Sequence, residues 1–171
     1  MAAHSTKEQR QGTGAGHRDA MAMRLRAMTE GDLPQVIRIE RQCYPQPWPG
    51  WLFRRLLREG RFCQVAEVDG AVGGYGVMVV SRQRAHVMNI CVAGACRKHG
   101  IGRRMLVHLL TQARREDARF AWLEVRPENH AAIKLYRASG FRKTGMRRHY
   151  YPARGGRENA ILMARILVPR R

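Results

Sequence analysis

The stretch "RKHGIGRRMLVHLLTQARRE", residues 97 to 116, is read as a glycine-bearing loop running into one long helix. Ile101, Met105, Leu106, Leu109, Leu110 and Ala113 recur at the spacing of a single apolar helical stripe. Upstream, "HVMNICV" (86–92) reads as a strand, and downstream "FAWLEV" (120–125) reads as another. A strand, a glycine loop, an amphipathic helix and a second strand together point to an α/β layer arrangement.

Working outward from that unit, "MRLRAM" from Met23 is a short first strand, and Thr29 caps a helix whose apolar face carries Leu33, Val36 and Ile37. "PWPGWLFRRLLREG" predicts a second helix that starts after proline and stops at Gly60. "RFCQVAEV", the turn Asp69-Gly70 and "AVGGYGVMVVS" form a hairpin pattern. After the central unit come a short helix from Asn129 to Ser139 stopped by Gly140, then two strands, "FRKTGMRRHYY" and "ENAILMARIL". The expected order is β-α-α-β-β-β-α-β-α-β-β, a mixed α/β sheet layered with helices and distinct from a doubly wound Rossmann domain. Residues 1–22 are polar and aperiodic and are expected to be a disordered extension, with the folded domain spanning 23–168.

Composition narrows the class. The chain of 171 residues holds 44% hydrophobic and 26% charged residues, ordinary for one soluble domain. No apolar run is long enough for a membrane span and no signal-peptide core is visible, so the cytoplasm is the expected compartment and no membrane partner is expected. Four cysteines, at 43, 63, 91 and 96, form no CxxC pair, and the seven histidines have no ligand spacing, so no metal site is expected. The net charge of +19 favours anionic surroundings such as RNA or the ribosome, although the charge is spread over the domain.

The loop "RKHGIGRR" (97–104) carries chemistry. Gly100 and Gly102 permit a tight turn and leave outward-facing amides at the helix start, a natural cradle for phosphate. Four of its eight residues are Arg or Lys, against about 1.5 expected for this composition, although cations there oppose the helix dipole unless an anion is bound. Neither a GK[ST] nor a GxGxxG pattern is present, so the cradle suits a pyrophosphate carried by something other than ATP or NAD. Glu124 is the second anomaly. It sits among Phe120, Trp122, Leu123 and Val125, where an unpaired carboxylate would be costly. It is either a salt-bridged strand-end residue or a residue with a chemical role.

The R-x-x-G-x-G loop, its helix and "N-x-x-A-x-x-L-Y-x-x-x-G-F" (129–141) resemble the GCN5-related N-acetyltransferase superfamily. "WLEVRPENHAAIKLYRASGF" (122–141) and "RRHYYPARGGRENAILM" (147–163) are similar, more narrowly, to ribosomal-protein-alanine N-acetyltransferases of the RimI type. The resemblance covers residues 23 to about 168. It departs at Ala93-Gly94, where relatives often carry Asp-Pro, and in the leader 1–22. It implies a twisted, mostly antiparallel mixed sheet of about seven strands, flanked by helices and splayed at the cofactor. The implied reaction is transfer of acetyl from acetyl-CoA to a protein N-terminal α-amine, with the alanine of small-subunit ribosomal protein eighteen as the favoured substrate. By the same resemblance, Ile90, Cys91 and Val92 lend backbone groups to the pantetheine arm. Lys98, His99, Gly100, Ile101, Gly102 and Arg103 hold the pyrophosphate, and Asn129 contacts the cofactor. Glu124 is the general base and Tyr136 the general acid, while Tyr150 and Tyr151 line the peptide groove, with edge packing as the alternative for the pair.

The residues agree with that chemistry in part. An α-amine titrates near ~7.7–8.0 and is partly neutral at cellular pH, unlike lysine near ~10.4, so a modest base suffices. Strand alternation puts Phe120, Trp122, Glu124 and Arg126 on one face. Aromatic neighbours would raise the pKa of Glu124, and Arg126 would oppose them if close. Cys91 has no histidine partner in the pattern, so direct attack is expected rather than a covalent acetyl-enzyme. Trp48 and Trp51 are expected only to pack, and His130 to lie on the surface. A basic enzyme surface would repel a basic substrate unless acidic groups such as Glu124 and Glu128 dominate the groove, or the substrate is held on RNA. The alternatives to the favoured reading are a broader protein N-terminal acetyltransferase and an RNA- or ribosome-binding module whose cofactor site is vestigial.

Overall fold

The computed structural model describes residues 22–153 and 155–167; the expected extension 1–22 lies, apart from Ala22, outside the described residues. The elements follow the expected order: β1 (Met23–Ala27), α1 (Leu33–Cys43), α2 (Gly50–Arg58), β2 (Phe62–Val68), β3 (Ala71–Ser81), β4 (Arg84–Val92), α3 (Ile101–Arg115), β5 (Phe120–Val125), α4 (His130–Ala138), β6 (Arg142–Ala153) and β7 (Gly156–Ile166). Strand β4 starts two residues before the expected His86, because Arg82 and Gln83 take the left-handed conformation and close a tight hairpin. The strands form one sheet in the order β1-β2-β3-β4-β5-β7-β6, antiparallel except for β4 against β5.

Helices cover the sheet on two sides. On one, α3 and α4 bury Ile101, Met105, Leu106, Leu109, Ile133 and Tyr136 against Met78, Val87, Leu123 and Met163. On the other, α1 and α2 bury Leu33, Val36, Phe53 and Leu56 against Val65, Tyr75 and Val77. Helix α3 lies close to β3 because Gly76 faces it: a Cβ there would stand 2.8 Å from Met105.

The parallel pairing of β4 with β5 is short. It joins Arg84, Ala85 and His86 to Phe120, Ala121 and Trp122, and the two strands part beyond those pairs. A bulge at Met88, where Val77 pairs with Asn89 and Met78 with Val87, bends β4 just past the last shared pair. The sheet therefore opens at the C-terminal ends of β4 and β5, which is the expected splay.

The entry to α1 is held by charge. Thr29 and Asp32 form the expected capping box, with both the Thr29 amide (2.8 Å) and hydroxyl (3.0 Å) donating to Asp32. The Arg26 guanidinium grips the same carboxylate through two 2.8 Å contacts and reaches Glu67 at 2.7 Å. Its hydrogen bonds hold the buried Asp32 at about 2 against the opposing effect of burial. A depressed carboxylate stabilises the fold above its unfolded pKa of about 4 and loses that contribution as pH falls through about 2. We expect Asp32→Asn to cost roughly 2 kcal/mol in urea unfolding at about pH 7. The gap should shrink between about pH 4 and pH 2; a gap that stays constant would assign the cost to the lost cap alone.

Candidate active site

A pocket of about 490 Å³ opens where β4 and β5 part. Val87, Met88, Asn89 and Ile90 line it from β4, Glu124 and Val125 from β5, and Tyr136 from α4. Glu40 and Tyr44 at the end of α1, then Gln46, Pro47 and Trp48, form a second wall; Tyr150 and Tyr151 of β6 form a third. Because Leu123 and Val125 belong to the α3–α4 core, alternation puts Glu124 on the opposite face of the sheet. Tyr136 packs in the α3–α4 core. The gap between the strands lets groups from the two faces meet in one cavity.

Glu124 has a side chain only 4% exposed, and two partners hold it: His86 Nε2 at 2.7 Å from Oε2 and Arg147 Nη1 at 3.0 Å from Oε1. The sequence left open whether burial or a nearby cation decides the direction of its pKa. Burial is the largest effect and pushes it up, but the hydrogen bonds and charges of His86 and Arg147 carry it below the ordinary value. Arg126 does not oppose burial at Glu124, because its guanidinium is spent elsewhere, 2.5 Å from Glu158 and 4.4 Å over the Tyr151 ring. Glu124 is thus ion-paired, as the salt-bridged strand-end reading expected, and also lines the pocket.

Tyr136 is 8% exposed, and burial pushes its phenol up to about 12. It is therefore a protonated donor throughout the physiological range. Asn129 lines the pocket while its Oδ1 accepts from Ala132 N at 3.1 Å, so it is also the N-cap of α4.

The two tyrosines of the third wall are consecutive, and a regular strand would point them to opposite faces. Here the ladder breaks between Arg147 and Tyr151, and His149 is left-handed with φ 51. The bulge puts both on the pocket wall, edge to face with ring centroids 4.9 Å apart.

The remaining expected cofactor residues gather near the end of β4 but are not among those lining this pocket. Cys91 and Ile101 have their side chains in the core, 5% and 2% exposed, so only their backbone is available to a ligand. Burial, the largest effect, raises the Cys91 thiol strongly, consistent with a packing residue rather than a nucleophile. Gly100 is the left-handed N-cap of α3 (φ 77), a conformation that side chains resist, and among the described residues no side chain makes a capping hydrogen bond at the helix start. A Cβ on Gly102 would stand 3.7 Å from Val92 and 3.4 Å from Leu135, so the α3 start sits between the end of β4 and α4, beside the gap. Lys98, His99 and Arg103 are exposed around it. Its first-turn amides and cations suit a pyrophosphate.

Sequence reading missed several wall residues. Glu40 is 1% exposed and accepts from Trp48 N at 2.8 Å, from Tyr75 Oη and from Asn89 Nδ2 at 3.3 Å. Tyr44 donates to Asn89 Oδ1 at 3.1 Å. Trp48 lines the pocket, and Trp51, expected to pack, is 61% exposed. Glu128, one of the acidic groups that could have offset the basic surface in the groove, is exposed and off the lining; Glu40 is the second carboxylate there. The available signal was the polar His86 and Asn89 within an otherwise apolar strand.

Asn129→Ala is expected to lower stability by about 1 kcal/mol in urea unfolding through the lost cap. Wild-type stability in the variant would remove the capping role.

The geometry has clear relatives. Residues 33–141 match the family model "Acetyltransferase (GNAT) family". The chain is 35% identical over 133 residues to the "[Ribosomal protein bS18]-alanine N-acetyltransferase" of Escherichia coli K12, covering 78% of this chain and 90% of that one. It is 33% identical over 154 residues to an "N-alpha-acetyltransferase" of Sulfolobus acidocaldarius, covering 82% and 90%. The crystal structure of the ribosomal-protein-S18-alanine N-acetyltransferase from Escherichia coli superposes with a TM-score of 0.78 at 32% identity, over 85% of this chain and 94% of that one. With the matched model running from α1 to α4 and including β4, the glycine loop and β5, this chain belongs to the GNAT acetyltransferase family and is an N-acetyltransferase.

Proposed function

We propose that the enzyme transfers acetyl from acetyl-CoA to the N-terminal α-amine of a protein, with the alanine terminus of ribosomal protein bS18 as the favoured acceptor. The observation that carries this reading is the meeting of Glu124 and Tyr136 in one pocket at the splayed end of β4, beside the glycine-capped start of α3. The backbone of Ile90, Cys91 and Val92 runs along the gap, where the pantetheine arm would take up the hydrogen bonds that β5 does not. The amides of Lys98, His99, Gly100, Ile101, Gly102 and Arg103 would hold the pyrophosphate, and Asn129 would border the thioester end.

Glu124 receives the proton released as the amine attacks, directly or through one water. An ion-paired carboxylate below its usual range is a weak base, and an α-amine that titrates near ~7.7–8.0 asks for no more. A lysine near ~10.4 would be almost wholly protonated, so the same weak base discriminates against it. Tyr136 supplies the proton for the departing thiolate. Tyr150, Tyr151 and Trp48 form the acceptor walls. Cys91 stays a packing residue, so attack is direct.

The relative described as an N-alpha-acetyltransferase supports a second reading, in which many N-termini are accepted. The +19 charge supports RNA or ribosome contact, which would hold a basic substrate near a basic surface. No helix among the described residues is long and apolar enough to cross a membrane.

Thiol release separates these readings. A peptide with a free bS18 alanine terminus should be turned over, and the same peptide with a blocked terminus or a lysine-only peptide should not. Glu124→Gln and Tyr136→Phe should each lower kcat by roughly 100-fold or more. Turnover on many different termini would favour the broader enzyme, and steeply salt-sensitive RNA binding without acetyl-CoA affinity would favour the binding module.

A further inference from the structure

The outer face of the α1–α2 pair is the part of the basic surface that carries a pattern. Helix α2 turns Phe53 and Leu56 into the core, 0% and 5% exposed. Its other side carries Trp51, Arg54, Arg55 and Arg58, all exposed, at the i, i+3, i+4 and i+7 spacing of one helical stripe. Trp51 is 61% exposed, and among the described residues it is the one exposed Trp, Tyr or Phe. Beside it, α1 presents Arg38 and Arg41, three residues apart and both exposed. The two helices approach closely: a Cβ on Gly50 would stand 2.9 Å from Ile37 Cδ1 and 3.7 Å from Arg54 Nη1. Arg54 therefore lies at the seam, by the residue that precedes Arg38 and stands one turn before Arg41.

The charge of this face is uncompensated. Arg55 is paired with Glu59 at 2.7 Å, and Glu59 also takes Arg61 at 3.1 Å. Arg38, Arg41, Arg54 and Arg58 make no ion pair with any described residue. The one carboxylate within the two helices, Glu40, is buried in its own hydrogen-bond network. Guanidinium groups gathered on one face repel one another, and a row of phosphates reverses that sign. The face also flanks the acceptor side of the pocket. Tyr44, Gln46, Pro47 and Trp48 join α1 to α2 and line the cavity, so Arg41 and Trp51 each stand three residues from a wall residue.

The residue types select the occupant. Guanidinium forks match phosphate oxygens, and an indole face stacks on an unpaired base. A duplex keeps its bases stacked inside and offers the indole nothing. A helix lying on a membrane needs its apolar face for lipid, and the apolar face of α2 is already packed in the core. We propose that the α1–α2 face binds single-stranded RNA, with Trp51 stacking on a base and Arg38, Arg41, Arg54 and Arg58 contacting phosphates, and so holds RNA beside the mouth of the acceptor pocket. The use of this site in acetyl transfer rests on the reading that the acceptor is a ribosomal protein terminus; the binding itself does not.

The test is fluorescence anisotropy of a labelled single-stranded RNA of about 12 nucleotides with the full-length chain, between about 50 and about 200 mM salt. Three variants are compared with wild type: W51A, R38Q/R41Q/R54Q/R58Q, and R115Q/R119Q/R142Q/K143Q, which removes the same charge from exposed positions elsewhere. We expect W51A to weaken binding roughly tenfold. The α1–α2 arginine variant should weaken it further and make the slope of log affinity against log salt shallower by about 3, at ~0.7 for each lost phosphate contact. The variant altered elsewhere should stay within about fivefold of wild type. Wild-type affinity in W51A, equal losses in the two four-site variants, or equal affinity for a duplex of the same sequence overturns the proposal. So does binding to vesicles of phosphatidylglycerol and phosphatidylcholine without binding to the RNA. Should the arginine variant lack the thermal shift with acetyl-CoA that marks a folded chain, W51A and the duplex comparison decide. Thiol release on the free-alanine peptide in the absence of RNA, expected within about twofold of wild type in W51A, separates this site from the catalytic reading. Turnover without RNA binding overturns the RNA site alone. RNA binding that needs Trp51, without turnover, upholds the site and removes its use in acetyl transfer.

Discussion

The structure depends on a parallel strand pair that stops early. Strands β4 and β5 share hydrogen bonds over three residue pairs and then diverge, with the bulge at Met88 turning β4 away. Backbone donors and acceptors that lose a ladder partner must find another one or meet water, so a gap in a sheet is a place that asks for a ligand. Glu124 lies two residues beyond the last paired position, Trp122. The pocket, the start of α3 and the cap of α4 all border this opening.

A buried polar network holds the opposite wall. Among the described residues Glu40 has no cationic partner, yet it is 1% exposed. Burying such a group without hydrogen bonds would cost several kcal/mol. Three donors, from Trp48, Tyr75 and Asn89, offset that cost, and Tyr44 completes the set through Asn89. The network links α1, the segment before α2, β3 and β4. It therefore fixes the wall carrying Tyr44 and Trp48 relative to the strand that would hold the cofactor arm.

Charge in the site is local rather than global. The chain carries +19, yet the two carboxylates lining the pocket, Glu40 and Glu124, face it from opposite walls. At the rim, Arg126 is paired with Glu158, and Arg147 leans on Glu124 and Tyr150. A cationic N-terminus approaching the cavity thus meets aromatic faces and arginines already paired with Glu158 and Glu124. The spread of basic surface elsewhere remains available to polyanions.

Much of the fold was legible because it is written in local patterns. The α3 stripe, the Asp69-Gly70 turn, the Thr29–Asp32 box and the stops at Gly60 and Gly140 each depend on a few neighbouring residues, and the element order followed from them. Glu124 stood out as a carboxylate in an apolar run and the glycine loop by its glycines and charge, whereas Tyr136 and Asn129 came only with the family resemblance. What sequence could not decide was which distant side chains reach Glu124. His86 is 38 residues away and Arg147 is 23 away, and they meet it only through strand register and the broken ladder of β6. Arg126 was near in sequence and on the expected face, but it is committed to Glu158 and Tyr151. The direction of the Glu124 pKa was lost for the same reason. Periodicity determines which face a residue occupies, but the electrostatics of a buried carboxylate are set by partners within a few ångströms, which the tertiary structure alone brings there.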